Sequence, residues 1–180
     1  MENKLTTEKV VDVKDLHISF RTFKGYPHVL NGVNVHVNKK ERISIVGETG
    51  CGKTTTVNAI AQILARQARI DKGEIYFKGK DVLTMPQKEL KRLRAENVSI
   101  IFQDPIASLN PVFTIGQQLK EVIRYSGIEG AGDKKVQEEK AIRALKETSL
   151  PDPERIMDSY PFQLSGGMRQ RICIAMSLAT

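Results

Sequence analysis

The run Gly47-Glu48-Thr49-Gly50-Cys51-Gly52-Lys53-Thr54-Thr55 holds the residue types best suited to chemistry. Glycines at this spacing let a backbone turn tightly, so that successive N–H groups converge on one anion. A helix starting at Lys53 adds its N-terminal dipole and its unpaired donors. Lys53 then offers a point charge to the outer phosphates of a nucleotide, and the Thr54 hydroxyl offers a ligand to Mg2+. Cys51 lies inside this loop, so bound nucleotide is expected to shield it from alkylation. A second cluster, Leu164-Ser165-Gly166-Gly167-Met168-Arg169-Gln170-Arg171, opens another helix. Ser165 is a natural N-cap there, and two glycines admit close approach of an anion.

These two clusters need elements to position them. Leu16, Ile18 and Phe20 alternate with His17 and Ser19; Val33, Val35 and Val37 alternate with Asn34, His36 and Asn38. Both patterns predict half-buried antiparallel strands, joined by a loop around Gly25 and Pro27. Ile43-Ser44-Ile45-Val46 is a short apolar run ending at a glycine, which predicts a buried central strand. Val57, Ile60, Ala61 and Leu64 have helical spacing and predict a helix from Lys53 to about Ala68. Ile75 to Phe77 and Val98 to Phe102 read as further strands, with a helix opened by Pro86 between them. Beyond these, Ile115, Leu119, Val122 and Ile123 form one apolar helical stripe. Val136, Ile142 and Leu145 form a thinner one. A last helix, carrying Ile172, Ala175, Met176 and Ala179, starts near Ser165.

Composition narrows the class. Of the 180 residues, 40% are hydrophobic and 27% charged, which suits a globular domain with a core. No stretch reaches the ~18 apolar residues of a membrane span, and the N-terminal residues show no secretory h-region. Cys51 and Cys173 are too few for a disulfide framework, and the scattered histidines offer no metal-ligand spacing. A net charge of +7 favours anionic partners without choosing among them. The densest basic stretch, Lys88 to Arg94, reads as a solvated helix face.

A phosphate loop alone leaves kinase, GTPase, helicase and transport ATPase open. The Leu164–Arg171 cluster decides among them. It resembles the signature of ABC-transporter ATPases, with Met168 where glutamine is commoner. The resemblance covers essentially the whole chain. Phe102-Gln103-Asp104-Pro105 resembles the Q-loop, and the string from Ile100 to Gly116 is similar to the peptide and nickel importer branch. Tyr160-Pro161 also fits, whereas Phe162-Gln163 departs from the usual His-Glu.

The resemblance implies an α/β P-loop NTPase of ABC type, with an antiparallel β subdomain and a helical subdomain. The expected division is about 8–104 for the β subdomain and phosphate-loop core, 105–164 for the helical part and 165–180 for the signature helix. It implies ATP and Mg2+ as cofactors. Lys53 and Gln103 would act in catalysis, and Thr54 and Gln103 would face Mg2+. Gly47, Glu48, Thr49, Gly50, Cys51, Gly52, Lys53, Thr54 and Thr55 would cradle the phosphates. Phe20, or else Tyr26, would stack on adenine. Leu164, Ser165, Gly166, Gly167 and Met168 would close over nucleotide held by a second ATPase subunit, more often a paralogue than a copy.

Further partners implied are two membrane permease subunits and, indirectly, an external solute-binding protein. The location implied is peripheral, on the cytoplasmic face of the cell membrane. The implied role is energy coupling in import of di- or oligopeptides or a related solute. The competing expectation is a soluble ABC ATPase acting on nucleic acid or ribosomes. Against it, the sequence shows no coiled-coil insertion, zinc motif or basic–aromatic platform.

One expected part is missing. In this family an acidic strand, ending in an Asp for Mg2+ and a Glu general base, follows the signature. Fifteen residues follow Ser165 and none is acidic. The later switch histidine is also absent. The expectation is therefore a single incomplete ABC domain lacking the C-terminal part of its core sheet. Such a chain should be poorly soluble, bind nucleotide weakly and turn it over little by itself.

Overall fold

The computed structural model describes residues 8–102, 104 and 108–179. The chain forms two compact units, Met1–Leu90 and Lys91–Thr180.

The first unit is built on a four-stranded antiparallel sheet, order β2-β1-β3-β4. Its strands are β1 (Lys9–Phe20), β2 (His28–Asn38), β3 (Ala68–Phe77) and β4 (Lys80–Asp81). The alternation read in the sequence sets the faces. Val13, Leu16, Ile18, Leu30 and Ile75 are all buried to 3% exposure or less. At the end of the sheet Ile18 pairs with Leu30 and Ile70, while Ser19 pairs with His28 and Arg69. Neighbouring residues of a strand point to opposite faces. Ile18, Phe20 and Leu30 therefore share one face; Ser19, His28, Arg69 and Asp71 share the other. The helix α1 spans Lys53–Ile60, shorter than the apolar spacing suggested, because the chain turns at Ala61 and Gln62 (φ 56).

The helix α2 (Gln87–Asn97) follows Pro86 as expected and runs across the division of the chain. The second unit is helical: α3 (Ile115–Tyr125), α4 (Lys134–Glu147), α5 (Pro153–Asp158), a 3-10 turn Pro161–Gln163, and α6 (Gly166–Leu178). Of the predicted stripe of α3, Ile115, Leu119 and Ile123 are fully buried with Leu145 of α4 and Ile172 of α6, while Val122 is only half-buried and lies outside this core. Each such side chain contributes about 1.5–3 kcal/mol on burial. Thr114 closes a capping box with Gln117 at the start of α3. Cys173 is core, as its place on the apolar side of α6 implied, and burial pushes its thiol up.

Two expected strands do not form. Residues 43–46 carry no strand pairing, and Ile43, Ile45 and Val46 are 41%, 41% and 90% exposed. Residues 98–102 are likewise unpaired, with Ile101 and Phe102 more than half exposed. A fully apolar run becomes a parallel strand only when strands lie beside it and layers cover both faces. Among the described residues neither run has such a neighbour.

Candidate nucleotide site

The phosphate loop enters α1 through Gly52, which has φ 95° and no side-chain cap on the helix. Only glycine takes this backbone conformation at little cost. A Cβ on Gly52 would also stand 2.5 Å from Leu30 Cδ2 and 3.3 Å from the Val29 carbonyl. The loop is thus seated directly on the start of β2, a contact between residues 22 positions apart that no local pattern announces. Thr56 secures the first turn: its N–H and its hydroxyl both donate to the Gly52 carbonyl, at 2.9 and 3.1 Å.

Lys53 Nζ folds back onto its own loop. It donates to the carbonyls of Gly47 at 2.8 Å and Glu48 at 2.7 Å, and lies 3.6 Å from Cys51 Sγ. Cys51 and Thr54 are exposed. The N-terminal N–H groups of a helix have no intrahelical acceptor. At α1 no side-chain cap takes them, so the loop presents donors, the Lys53 ammonium and the Thr54 hydroxyl on one short segment. That donor set fits a phosphate chain with a hard cation that keeps most of its waters.

The second cluster is built differently. Ser165 caps α6, its Oγ accepting from the Met168 N–H at 3.3 Å. Leu164 is buried, and Met168 packs against the helical core. Gly166 and Gly167 are the informative pair: a Cβ on either would meet nothing within 4 Å. Nothing in the chain's own packing requires glycine there. Just before the cap, Gln163 accepts from the Tyr160 N–H, and Tyr160 and Phe162 stack with ring centroids 5.6 Å apart. Phe162, the departure seen in the sequence, is 70% exposed.

Of the aromatic candidates, Phe20 ends β1 and its N–H donates to the Pro27 carbonyl. It lies on the face of Leu30, the residue that touches Gly52. Tyr26 lies under the Arg69 guanidinium, 5.3 Å from ring centroid to Cζ, with the Asp71 side of the sheet. Arg69 Nε in turn donates to Asp71 Oδ1 at 2.6 Å. The Ser19 hydroxyl and the Arg69 guanidinium hold the Asp71 carboxyl below its usual range. Ser19 Oγ and Asp71 Oδ2 are both buried, and His28 Nδ1 stands 3.7 Å from Asp71 Oδ2. Gln103 lies outside the described residues. Among the described residues no group of three His, Cys, Asp or Glu could hold a metal, and no helix is long and apolar enough to cross a membrane.

The ABC transporter family model matches residues 30–180. The chain belongs to that family. A probable peptide ABC transporter ATP-binding protein of Sinorhizobium fredii is 39% identical over 180 residues, covering 99% of this chain and 53% of that protein. The oligopeptide transport ATP-binding protein of Bacillus subtilis is 40% identical over 173 residues, 95% of this chain and 47% of its own length. This ABC chain thus spans about half the length of the curated relatives it matches. Among solved structures, a dimeric bacterial ABC transporter cassette aligns with TM-score 0.81 at 26% identity, over 94% of this chain and 69% of that one. A dimeric post-hydrolysis cassette bound to ADP and Pi aligns with TM-score 0.80 at 27% identity, with the same coverage. The fold is that of an α/β P-loop NTPase.

Proposed function

We propose that this ABC chain forms the nucleotide-binding part of the energy-coupling subunit of an importer for di- or oligopeptides or a related solute. The observation that carries the reading is the contrast between its two helix starts. One is uncapped, with Lys53 and Thr54 beside free donors; the other is capped, with two glycines open to a surface that the chain leaves uncovered. The first suits a nucleotide bound by the chain itself. The second suits a nucleotide held by another subunit, a paralogue in our reading. Two permease subunits and an external binding protein complete the assembly, on the cytoplasmic face of the membrane. The likeness to proteins named for peptide and oligopeptide transport supports the solute class.

In this site Lys53 exchanges the Gly47 and Glu48 carbonyls for phosphate oxygens, and the loop N–H groups orient the phosphate chain. Thr54 and Gln103 would hold Mg2+, which neutralises phosphate charge when bound. Phe20 is our first choice for the adenine face, since its register puts it on the side of Leu30 and Gly52; Tyr26 is second. The three-part division of one incomplete domain, at about 104 and 164, is part of this reading.

The deciding experiment is MgATP binding by the 180-residue chain beside Lys53→Ala. Charged hydrogen bonds contribute about 1.5–3 kcal/mol, so the variant should bind about ten- to a hundred-fold more weakly. Equal binding by both would remove Lys53 from the site and the reading with it.

A further inference from the structure

The helical unit holds a cleft that the nucleotide chemistry does not use. It opens between α3 and the start of α4, has a volume of about 910 Å³, and draws its wall from residues 113–137. Phe113, 49% exposed, and Val122, the stripe residue that the core leaves half-buried, supply apolar surface. Both sides of the cleft are fixed by hydrogen bonds. The Gln118 side chain accepts from the Asn110 N–H at 2.9 Å and donates to the Asn110 and Phe113 carbonyls at 2.9 and 3.0 Å. Opposite, the buried Gln137 donates to the Ala131 carbonyl at 2.6 Å and holds the connection that leads into α4.

Charges of both signs stand on these walls. Glu121 and Arg124 lie 3.8 Å apart, and both side chains are exposed. Exposed ion pairs hold their members weakly, so Glu121 changes partner at little cost. Lys134 is in no ion pair among the described residues. Its neighbour Asp133 is engaged in capping α4, accepting from the Lys135 N–H at 2.8 Å. Lys120 is tied across the two helices to Glu138. One unpaired cation and one loosely held carboxylate thus remain beside the apolar surface.

We propose that this cleft binds a short peptide with free termini, its ammonium on Glu121, its carboxylate on Lys134 and an apolar side chain against Phe113 and Val122. Charge and size both point there. The lining matches a zwitterion rather than a net anion, and a preformed, partly apolar cleft of this volume suits a small ligand. The choice of a peptide over another zwitterion rests on the importer reading. The subunit that couples energy to import would then sense the solute already delivered.

The test is calorimetric titration of the 180-residue chain with the tripeptide alanyl-phenylalanyl-alanine. Binding should be saturable, and N-acetylation or C-amidation should each weaken it about five-fold. Glu121→Gln should lower affinity for the free peptide to the same extent but leave that for the N-acetylated form unchanged. Lys134→Gln should behave in the same way toward the C-amidated form. Phe113→Ala should weaken binding of every form about ten-fold. Melting temperatures equal to the parent's check that the helical unit of each variant is intact. Lys53→Ala should leave peptide binding unchanged, so a failed nucleotide reading and a failed peptide site give different results. No saturable binding, or undiminished binding by Glu121→Gln/Lys134→Gln, overturns the proposal. So does equal binding of the doubly blocked peptide, which would assign the cleft to a segment within a protein chain.

Discussion

The helix starts at Gly52 and Ser165 face opposite demands with nearly the same residue types. At Gly52 the backbone is left-handed, no side chain caps the helix, and the glycine is pressed against Leu30. At Ser165 the backbone is extended, the hydroxyl caps the third residue, and the following glycines face open space. The first glycine is required by the fold; the second pair is not. On the proposed function, the open space at Gly166 and Gly167 is where a nucleotide held by another subunit would approach.

Three substitutions sharpen this contrast. Gly52→Ala carries the largest effect. The left-handed conformation costs a residue with a Cβ about 1–2 kcal/mol, and Leu30 must also move. Thermal melting should show this loss together with loss of MgATP binding. Adding Leu30→Ala should relieve the crowding but not the backbone strain, so a full rescue would show that contact alone fixed the glycine. Ser165→Ala comes next, with about 1 kcal/mol lost from the helical unit as its N-cap goes. Denaturant melting should register that cost while MgATP binding by the same chain stays unchanged. Gly167→Ala has the smallest effect and the opposite sign. An alanine in the first turn should raise stability by up to about 0.5–1 kcal/mol, because nothing obstructs its Cβ. A drop in melting temperature instead would mean the glycine serves the chain's own packing, and the contrast would collapse.

The two units also differ in how far the sequence foretold them. In the helical unit three of the four stripe residues, Ile115, Leu119 and Ile123 but not Val122, became core, and Ser165 became the cap. Such signals are local: a helix closes its own hydrogen bonds, and the stripe needs only one partner face. β1 and β2 were equally legible, because an antiparallel pair is nearly self-contained. Residues 43–46 and 98–102 were not. Their composition says strand, but pairing depends on residues distant in the chain, and among the described residues they have none. The seat of Gly52 on Leu30, and the bond from the Arg21 N–H to the Gln67 carbonyl, were invisible for the same reason: each joins residues distant in the chain, and no short window of sequence carries such a pairing.

Lys53 donates to the carbonyls of Gly47 and Glu48. On the proposed function, nucleotide binding would be an exchange reaction, in which those two contacts would be given up for contacts to phosphate. Affinity at such a seat would be a difference between two satisfied states, so the backbone carbonyls of the loop would compete with the occupant for the same cation.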